Sequence, residues 1–344
     1  MEPVEMEQPM VSMVSSTDET ASVPIVSPFP LVDGFRSGYV AIVGRPNVGK
    51  STLLNRLLGE KVAIATSRVQ TTRTRIRGVL TLPDTDDVSV ARTAQVVFLD
   101  TPGFSKPLDK LGEVLTAEAH AALSDADAVL FVVDGATILG AGDEWLAGQI
   151  QATGKPVVML FNKIDRFASN QEQTKRAQAY FNLFKGYQAP FTPLVASAKT
   201  GRHVRKVVET LLPYLPEQPP FYDSDTYTDQ HLRDLALELI REKVMQFTGD
   251  ELPHAVAVVL DAFDESQHPK LTRIAATLYV EKLSQKGMII GKGGAMIKRI
   301  GQAARQDIEP LLDTPLYLDL QVKVKLNWRK DTRFLQRMGY DVVP

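Results

Sequence analysis

An eight-residue glycine-rich motif constrains this chain more than any other feature of its sequence. Gly44-Arg-Pro-Asn-Val-Gly-Lys-Ser51 fits the pattern G-x-x-x-x-G-K-[ST], and it lies between the apolar run Tyr39–Val43 and an amphipathic stretch. A strand that enters a helix through such a loop presents backbone amides and a helix N-terminus to phosphate groups. The sequence therefore predicts an α/β domain that binds a nucleotide.

The last residues of this motif have distinct expected roles. The Lys50 ammonium is expected to reach the outer phosphates and stabilise charge there, as a catalytic residue, and the Ser51 hydroxyl to ligate Mg²⁺. Backbone amides around them bind other phosphate oxygens. The expected nucleotide-binding residues of the loop are Gly44, Asn47, Val48, Gly49, Lys50, Ser51 and Thr52.

A second motif, Asp100-Thr-Pro-Gly103, directly follows the apolar run Val96–Leu99. An aspartate at the carboxyl end of a buried strand lies at the ligand-binding edge of the sheet, so Asp100 is expected to hold Mg²⁺ through water. The Gly103 amide is expected to sense the terminal phosphate. The pattern is weak evidence alone and gains weight because it follows the phosphate-binding loop.

A third motif, Asn162-Lys-Ile-Asp165, closes the apolar run Val157–Phe161 and indicates the base of the nucleotide. The Asp165 carboxylate can accept from guanine N1–H and from the exocyclic amine together, which adenine cannot match. Asn162 is expected to brace neighbouring loops, and the Lys163 stem is expected to lie along the base and ribose. This motif therefore predicts guanine specificity.

A small-residue tripeptide, Ser197-Ala-Lys199, ends the next apolar run. Small residues often end strands, so the tripeptide gains meaning from its order after the third motif. At this place the Ala198 amide could donate to guanine O6. The expected base-binding residues are Asn162, Lys163, Asp165, Ser197, Ala198 and Lys199.

A metal-sensing switch is expected between the phosphate-binding loop and Asp100, and Gln70-Thr-Thr-Arg73 is its candidate. Thr72 is the expected Mg²⁺ ligand and catalytic residue, with Thr71 as the alternative. The residue after Gly103 is Phe104, where many signalling GTPases have the glutamine that orients the attacking water. Slow intrinsic hydrolysis is therefore expected.

Between residues 37 and 214, apolar runs alternate with amphipathic stretches, as in a mostly parallel sheet with crossover helices. The predicted strands are Tyr39–Val43, Val96–Leu99, Val129–Val133, Val157–Phe161 and Thr192–Ala196. The predicted helices are Lys50–Leu58, Lys110–Leu123, Glu144–Ala152, Gln171–Phe184 and Val204–Leu212. Arg75–Leu82 and Val88–Ala94 alternate around Pro83–Asp87, which predicts an antiparallel hairpin at one edge.

Composition sets the expected limits of the domains. Residues 1–36 hold six acids and one base without periodicity, so they are expected to form a disordered acidic tail rather than a basic targeting peptide. Three prolines within residues 215–228 predict a linker, and residues 229–344 a second domain. With no cysteine, thiolate metal sites are excluded, and a net charge of -2 requires any nucleic-acid surface to be local.

The second domain has a mixed pattern of predicted elements. In order, they are a helix (His231–Phe247), two strands (His254–Phe263 and Leu271–Leu283), a glycine turn that opens a helix (Gly291–Arg299), a helix (Ala303–Leu312) and a strand (Leu316–Val324). This order predicts an α+β fold.

The glycine turn, Gly291–Gly294, lies within the pattern I-I-G-x-x-G-x-x-I-K of a KH domain, in which backbone approaches a strand of about four nucleotides. From Lys282 to Gln306 there are six basic residues and no acid, which suits single-stranded RNA. The expected RNA-binding residues are Gly291, Lys292, Gly293, Gly294, Lys298 and Arg299.

Together these motifs resemble the Era GTPases, which join a P-loop GTPase domain to a C-terminal type II KH domain. The ending, with Trp328 and Met338-Gly-Tyr340, is also similar to that family. The resemblance implies GTP and GDP with Mg²⁺ as ligands and the 3′ end of 16S ribosomal RNA and the 30S subunit as partners. It also implies a cytoplasmic protein that associates peripherally with the membrane, and we expect a monomer.

Two departures from the family pattern are the acidic tail and a lengthened hairpin around Thr81–Thr93. One alternative function is an RNA-binding assembly protein for which the nucleotide is a structural ligand, and RNA-stimulated turnover would separate it from a GTPase. Another is a nucleotide-dependent RNA-modifying enzyme. The absence of cysteine and the scatter of the five histidines argue against this second alternative.

Overall fold

The computed structural model describes residues 33–59, 76–82, 93–102, 107–166, 170–248, 252, 256–340 and 342. The predicted acidic tail lies outside these residues except at its end. There Phe35 is buried and Arg36 begins the first strand, so the last residues of the predicted tail belong to the folded domain.

The N-terminal domain is built on a six-stranded sheet. Its strands are β1 (Arg36–Val43), β2 (Ile76–Leu82), β3 (Ala94–Asp100), β4 (Ala128–Asp134), β5 (Val157–Asn162) and β6 (Phe191–Val195). Their order in the sheet is β2-β3-β1-β4-β5-β6, and every neighbouring pair is parallel except β2 with β3. The carboxyl ends of the parallel strands therefore meet at one edge.

Helices cover both faces of this sheet. They are α1 (Lys50–Leu58), α2 (Lys110–Asp125), α3 (Ala141–Ala152), α4 (Asn170–Leu183) and α5 (Val204–Leu211). Apolar side chains of α1 and α5 pack on one face, and those of α2, α3 and α4 pack on the other. Burial on both faces explains why the central strands are continuous apolar runs in the sequence.

The edge hairpin is present, but the second strand predicted for it was wrong. β2 pairs antiparallel with β3, from Leu82 opposite Ala94 to Ile76 opposite Asp100. The strand that pairs with β2 is therefore β3, which is also the parallel neighbour of β1, and not the predicted Val88–Ala94. Residues 83–92 lie outside the described part of the chain.

Hydrogen bonds to the first residues of β1 and β3 anchor the proline-containing segment that follows the N-terminal domain. Gln95 of β3 accepts from the backbone amides of Phe221 and Tyr222 (2.8 and 3.0 Å) and donates to the Tyr222 carbonyl (2.9 Å). The Arg36 guanidinium donates to the Leu215 carbonyl at 2.7 Å. These contacts fix the path of the chain into the second domain.

The C-terminal domain packs helices on a three-stranded sheet. Its elements are α6 (Leu232–Phe247), β7 (Ala257–Gln267), β8 (Leu271–Val280), α7 (Leu283–Ile290), α8 (Ala295–Leu312), β9 (Leu316–Val324) and α9 (Thr332–Arg337). The strand order is β7-β8-β9, with β7 antiparallel and β9 parallel to β8. One core joins the inner face of the sheet to α6 and α8.

The helices around the glycine turn differ from the prediction. The stretch predicted to end a strand at Leu283 instead begins α7, whose start is capped by the Gln285 side chain, which accepts from the amides of Glu281 and Lys282 (3.0 and 2.9 Å). The two helices predicted around Gly301 are the single helix α8, because its buried residues continue through that glycine. They are Ile300, Ala304, Ile308 and Leu312.

The end of the chain packs against the N-terminal domain. Trp328, Phe334 and Leu335 form an apolar cluster with Leu111 and Leu115 of α2. α2 is the helix that follows the Asp100–Gly103 motif. The cluster therefore packs the end of the C-terminal domain against this helix. No helix in the described part of the chain is long and apolar enough to cross a membrane.

Candidate nucleotide-binding site and glycine turn

The phosphate-binding loop joins β1 to α1, as predicted, and neither of its two glycines has room for a side chain. A Cβ on Gly44 would collide with the Val132 carbonyl of β4, and one on Gly49 would collide with the Asn162 side-chain amide. Gly49 also has a φ of 101°, which disfavours other residues. The loop can therefore approach its neighbours only with glycine at these positions.

Lys50 lies buried at the start of α1 and turns back into the loop. Its ammonium donates to the carbonyls of Gly44 and Arg45, at 3.0 and 3.1 Å. Burial lowers the pKa of Lys50 to about 8, against the opposing effect of the Asp100 carboxylate. A desolvated ammonium gains strongly from an anionic ligand, so this position suits the outer phosphates of a nucleotide.

Ser51 and Asp100 meet at the base of the loop. The Ser51 hydroxyl donates to Asp100 Oδ2 at 2.9 Å, and both side chains are buried. A hydroxyl and a carboxylate are hard oxygen ligands of the kind that Mg²⁺ prefers, so the donor set fits this metal. The third predicted ligand, Thr72, lies outside the described residues, as do Gly103 and Phe104.

Asn162 ties the three loops of the site together. Its side-chain amide donates to the Val48 carbonyl at 2.8 Å, and its Oδ1 accepts from the Ala198 amide at 2.9 Å. The expectation that Asn162 braces loops agrees with this geometry. The Ala198 amide faces Asn162 here, so its donation to guanine O6 stays a prediction.

Asp165 lies exposed beside the loop after β6. The Ser197 hydroxyl donates to Asp165 Oδ1 at 2.5 Å, and this bond holds the pKa of Asp165 below its usual range. The carboxylate is therefore ionised at neutral pH and can act as an acceptor. Lys199 lies on the same loop, which Arg56 of α1 anchors by donating to its carbonyl at 2.8 Å.

Sequence reasoning missed two acidic residues near these loops. Asp143 on α3 forms an ion pair with Arg45 of the phosphate-binding loop at 2.8 Å. Asp134, the last residue of β4, forms one with Lys163 at 2.6 Å. The sequence did contain a signal for Asp134, because this aspartate follows an apolar run in the same way that Asp100 does.

Of the predicted RNA-binding residues, the glycine turn Gly291–Gly294 lies between α7 and α8, and Lys298 and Arg299 lie in the first turns of α8. Gly291, Gly293 and Gly294 all have positive φ, at 71°, 60° and 79°, and Cβ atoms on the last two would meet open space. The side chain of Lys292 is exposed at this turn. The backbone is therefore accessible to a ligand at the N-terminus of α8.

The basic residues of α8 follow the turn. Lys298 and Arg299 are exposed, and the Arg299 guanidinium lies 4.4 Å from the centre of the Phe247 ring. Sequence reasoning did not predict the apolar side chains exposed on α7, Leu283 and Met288. Exposed cationic side chains thus follow the turn on α8, and exposed apolar side chains precede it on α7.

Two sequence families match the chain in succession. The family described as a 50S ribosome-binding GTPase matches residues 39–163, and the KH domain family matches residues 251–329. A relative named GTPase Era, from Nostoc sp., is 43% identical over 329 residues, which are 96% of this chain and 95% of the relative. The chain belongs to the Era family of GTPases.

Solved Era structures agree with the fold. Era in complex with MgGDPNP and nucleotides 1506–1542 of 16S ribosomal RNA has a TM-score of 0.81 and 37% identity, and the match covers 89% of this chain and 99% of that one. An Era variant from Aquifex aeolicus, bound to GDP·AlF4⁻, has a TM-score of 0.80 and 37% identity at the same coverage.

Membership in the Era family confirms the main predictions from the sequence. The fold is a P-loop GTPase domain with a mostly parallel sheet, followed by a KH domain. The reaction is hydrolysis of GTP to GDP and phosphate, and the ligands are these nucleotides and Mg²⁺. The limits of the domains and the roles of individual site residues stay predictions.

Proposed function

We propose that this Era-family GTPase binds single-stranded RNA at the 3′ end of 16S ribosomal RNA and assists maturation of the 30S subunit. The observation that carries the proposal is the open turn at Gly291–Gly294, which exposes backbone beside Lys292 in a stretch without acids. The similar Era structure with 16S RNA nucleotides supports this choice of RNA. Forms with GTP and GDP that differ in RNA affinity would make hydrolysis a release step.

In this proposal the residues of the nucleotide site divide into three groups. Lys50 acts on the phosphates with Thr72 and the Gly103 amide, and Ser51, Thr72 and Asp100 hold the metal. When bound, Mg²⁺ would neutralise charge on the outer phosphates. Asn162 and Asp165 read the base, supported by the loop Ser197–Lys199. The buried Ser51–Asp100 contact and the ionised Asp165 support these assignments.

Sequencing RNA that is crosslinked to the full chain tests the proposed target. With a non-hydrolysable GTP analogue, crosslinks are expected to concentrate near the 3′ end of 16S RNA, and with GDP they are expected to be fewer. A chain with Lys292→Ala, which lacks the ammonium at the turn, tests whether the crosslinks depend on contact there. Crosslinks spread evenly over ribosomal RNA, in either nucleotide state, would contradict the proposal.

We also propose that the protein is a cytoplasmic monomer that associates peripherally with the inner face of the plasma membrane. Resemblance to the family supports this placement. Lysates fractionated by centrifugation should contain most of the protein in the supernatant, and high salt should release the share that sediments with membranes. A membrane share that resists high salt would argue against peripheral association.

A further inference from the structure

Asp134 lies beside the base-recognition motif without belonging to any motif of the nucleotide site. It ends β4, directly opposite Asn162 of β5 in the parallel register. Its two carboxylate oxygens have separate partners: Oδ1 accepts from the Ala136 amide at 3.0 Å, and Oδ2 accepts from the Lys163 ammonium at 2.6 Å. The carboxylate therefore has a fixed orientation and faces the base-recognition motif.

The turn that carries Asp134 is itself held in place. The Gly135 amide donates to the Asn162 carbonyl at 2.9 Å, and the Thr137 amide donates to the Asp134 carbonyl at 3.1 Å. From α4, the Arg176 guanidinium donates to the Ala136 carbonyl at 2.7 Å. A charge on such a turn is preorganised, because it needs no rearrangement to meet its partner.

Lys163 uses its ammonium to join two loops. Besides Asp134, it donates to the Asn47 carbonyl in the phosphate-binding loop at 2.5 Å. Both Lys163 and Asn47 have a left-handed backbone, with φ of 67° and 66°. Such a conformation is uncommon for lysine and persists where surrounding contacts enforce it, whereas asparagine adopts it more readily. One ammonium thus links the base-recognition loop to the phosphate-binding loop.

We propose that Asp134 is a positioning residue for guanine nucleotide binding. Its carboxylate holds the Lys163 ammonium against the Asn47 carbonyl and so couples the base-recognition loop to the phosphate-binding loop. The side chains of Asp134 and Lys163 are only 13% and 20% exposed, so solvent screens the pair less than it would a surface pair. The inference rests on the proposed role of Lys163 at the base.

The test compares nucleotide release from full-length variants loaded with a fluorescent GDP. Asp134→Asn keeps the shape of the side chain and an oxygen for the Ala136 amide but removes the charge, and it is expected to release GDP about tenfold faster. Hydrolysis of GTP already bound, in a single turnover, is expected to stay within about twofold. Glu209→Gln is the matched control, since it removes a carboxylate from the exposed pair with Arg205 on α5.

A double-mutant cycle separates positioning through Lys163 from a general structural role. Lys163→Met is expected to speed release, and adding Asp134→Asn to it is expected to change nothing further. Additive effects, or release at the unaltered rate from Asp134→Asn alone, would overturn the role of Asp134. Normal release from Lys163→Met would overturn the role of Lys163 at the base and the positioning role with it.

The variant Asp134→Glu keeps the negative charge and displaces it by one methylene group. It is expected to release GDP at a rate between those of the unaltered chain and Asp134→Asn. It also provides a measurement if the asparagine variant fails to fold. Release from Asp134→Glu as fast as from Asp134→Asn or Lys163→Met would count against the charge as the cause.

Discussion

Replacing Asp165 with asparagine is expected to lower the affinity for GTP by about a hundredfold or more and to raise that for xanthosine triphosphate. The carboxylate is exposed at the site and ionised, because the Ser197 hydroxyl holds its pKa low. Guanine offers it two donors, and each hydrogen bond to a charged group contributes about 1.5–3 kcal/mol. Asparagine has one neutral acceptor oxygen and turns an NH2 group toward the guanine amine, so neither bond to a charged group remains. Their loss corresponds to roughly two to four orders of magnitude in affinity.

The asparagine variant should prefer XTP to GTP, because xanthine has a carbonyl where guanine has an amine. The amide of an asparagine at this position can donate to that carbonyl, whereas the carboxylate of Asp165 is repelled by it. Equilibrium binding of GTP, XTP and ATP to both chains measures the change. Asp225→Asn, which alters an exposed carboxylate before α6, is the control and should leave GTP affinity unchanged. Equal binding of GTP and ATP by the unaltered chain would contradict guanine recognition.

The sheet of the GTPase domain could be predicted from sequence because its central strands are buried on both faces. β4 and β5 are continuous apolar runs, and each ends in a polar residue, Asp134 or Asn162, at the edge where the ligand binds. Predicted and observed ends of these strands differ by at most one residue. The spacing of apolar residues and the composition are enough to predict a strand that has the same environment along its whole length.

The helices around the glycine turn were harder to predict because their sequence allows two structures. Leu283 was predicted to end a strand, but the cap formed by the Gln285 side chain makes Leu283 the first residue of α7, which runs to Ile290. The predicted helices ended at Arg299 and began again at Ala303, but Gly301 between them lies where α8 passes β9, with Leu320 3.7 Å from a Cβ built on it. Tertiary packing determines both outcomes, and a single sequence does not display it.

Contacts between loops were also beyond the sequence. Asn162 was expected to brace loops, but the pairing of Asp134 with Lys163 depends on the register between β4 and β5. Likewise, the packing of Trp328 on α2 depends on how the two domains meet. Motifs and strand ends indicate which residues lie at the site, whereas the partner of each positioning residue follows only from the pairing of the strands.

The second large effect is expected at the glycine turn, where Lys292→Asp combined with Gly293→Asp should weaken binding of single-stranded RNA about thirty- to a thousandfold at low salt. The exposed turn changes from one positive charge to two negative charges beside the backbone that RNA must approach. Gly293 has a φ of 60° with open space around its Cβ position, a conformation that aspartate tolerates better than most residues. The variant should therefore fold.

Filter binding across a salt series gives a result that a misfolded chain would not produce. For each RNA phosphate that the variant no longer neutralises, the slope of log affinity against log salt should fall by about 0.7. GTP hydrolysis without RNA should stay unchanged, and its stimulation by RNA should disappear. Arg273→Asp is the control, because Arg273 adjoins the buried Ile274 on β8 and so points away from α8. If the double variant folds and binds RNA with unchanged affinity and slope, RNA does not contact this turn, and the basic stretch around it is a solvated surface.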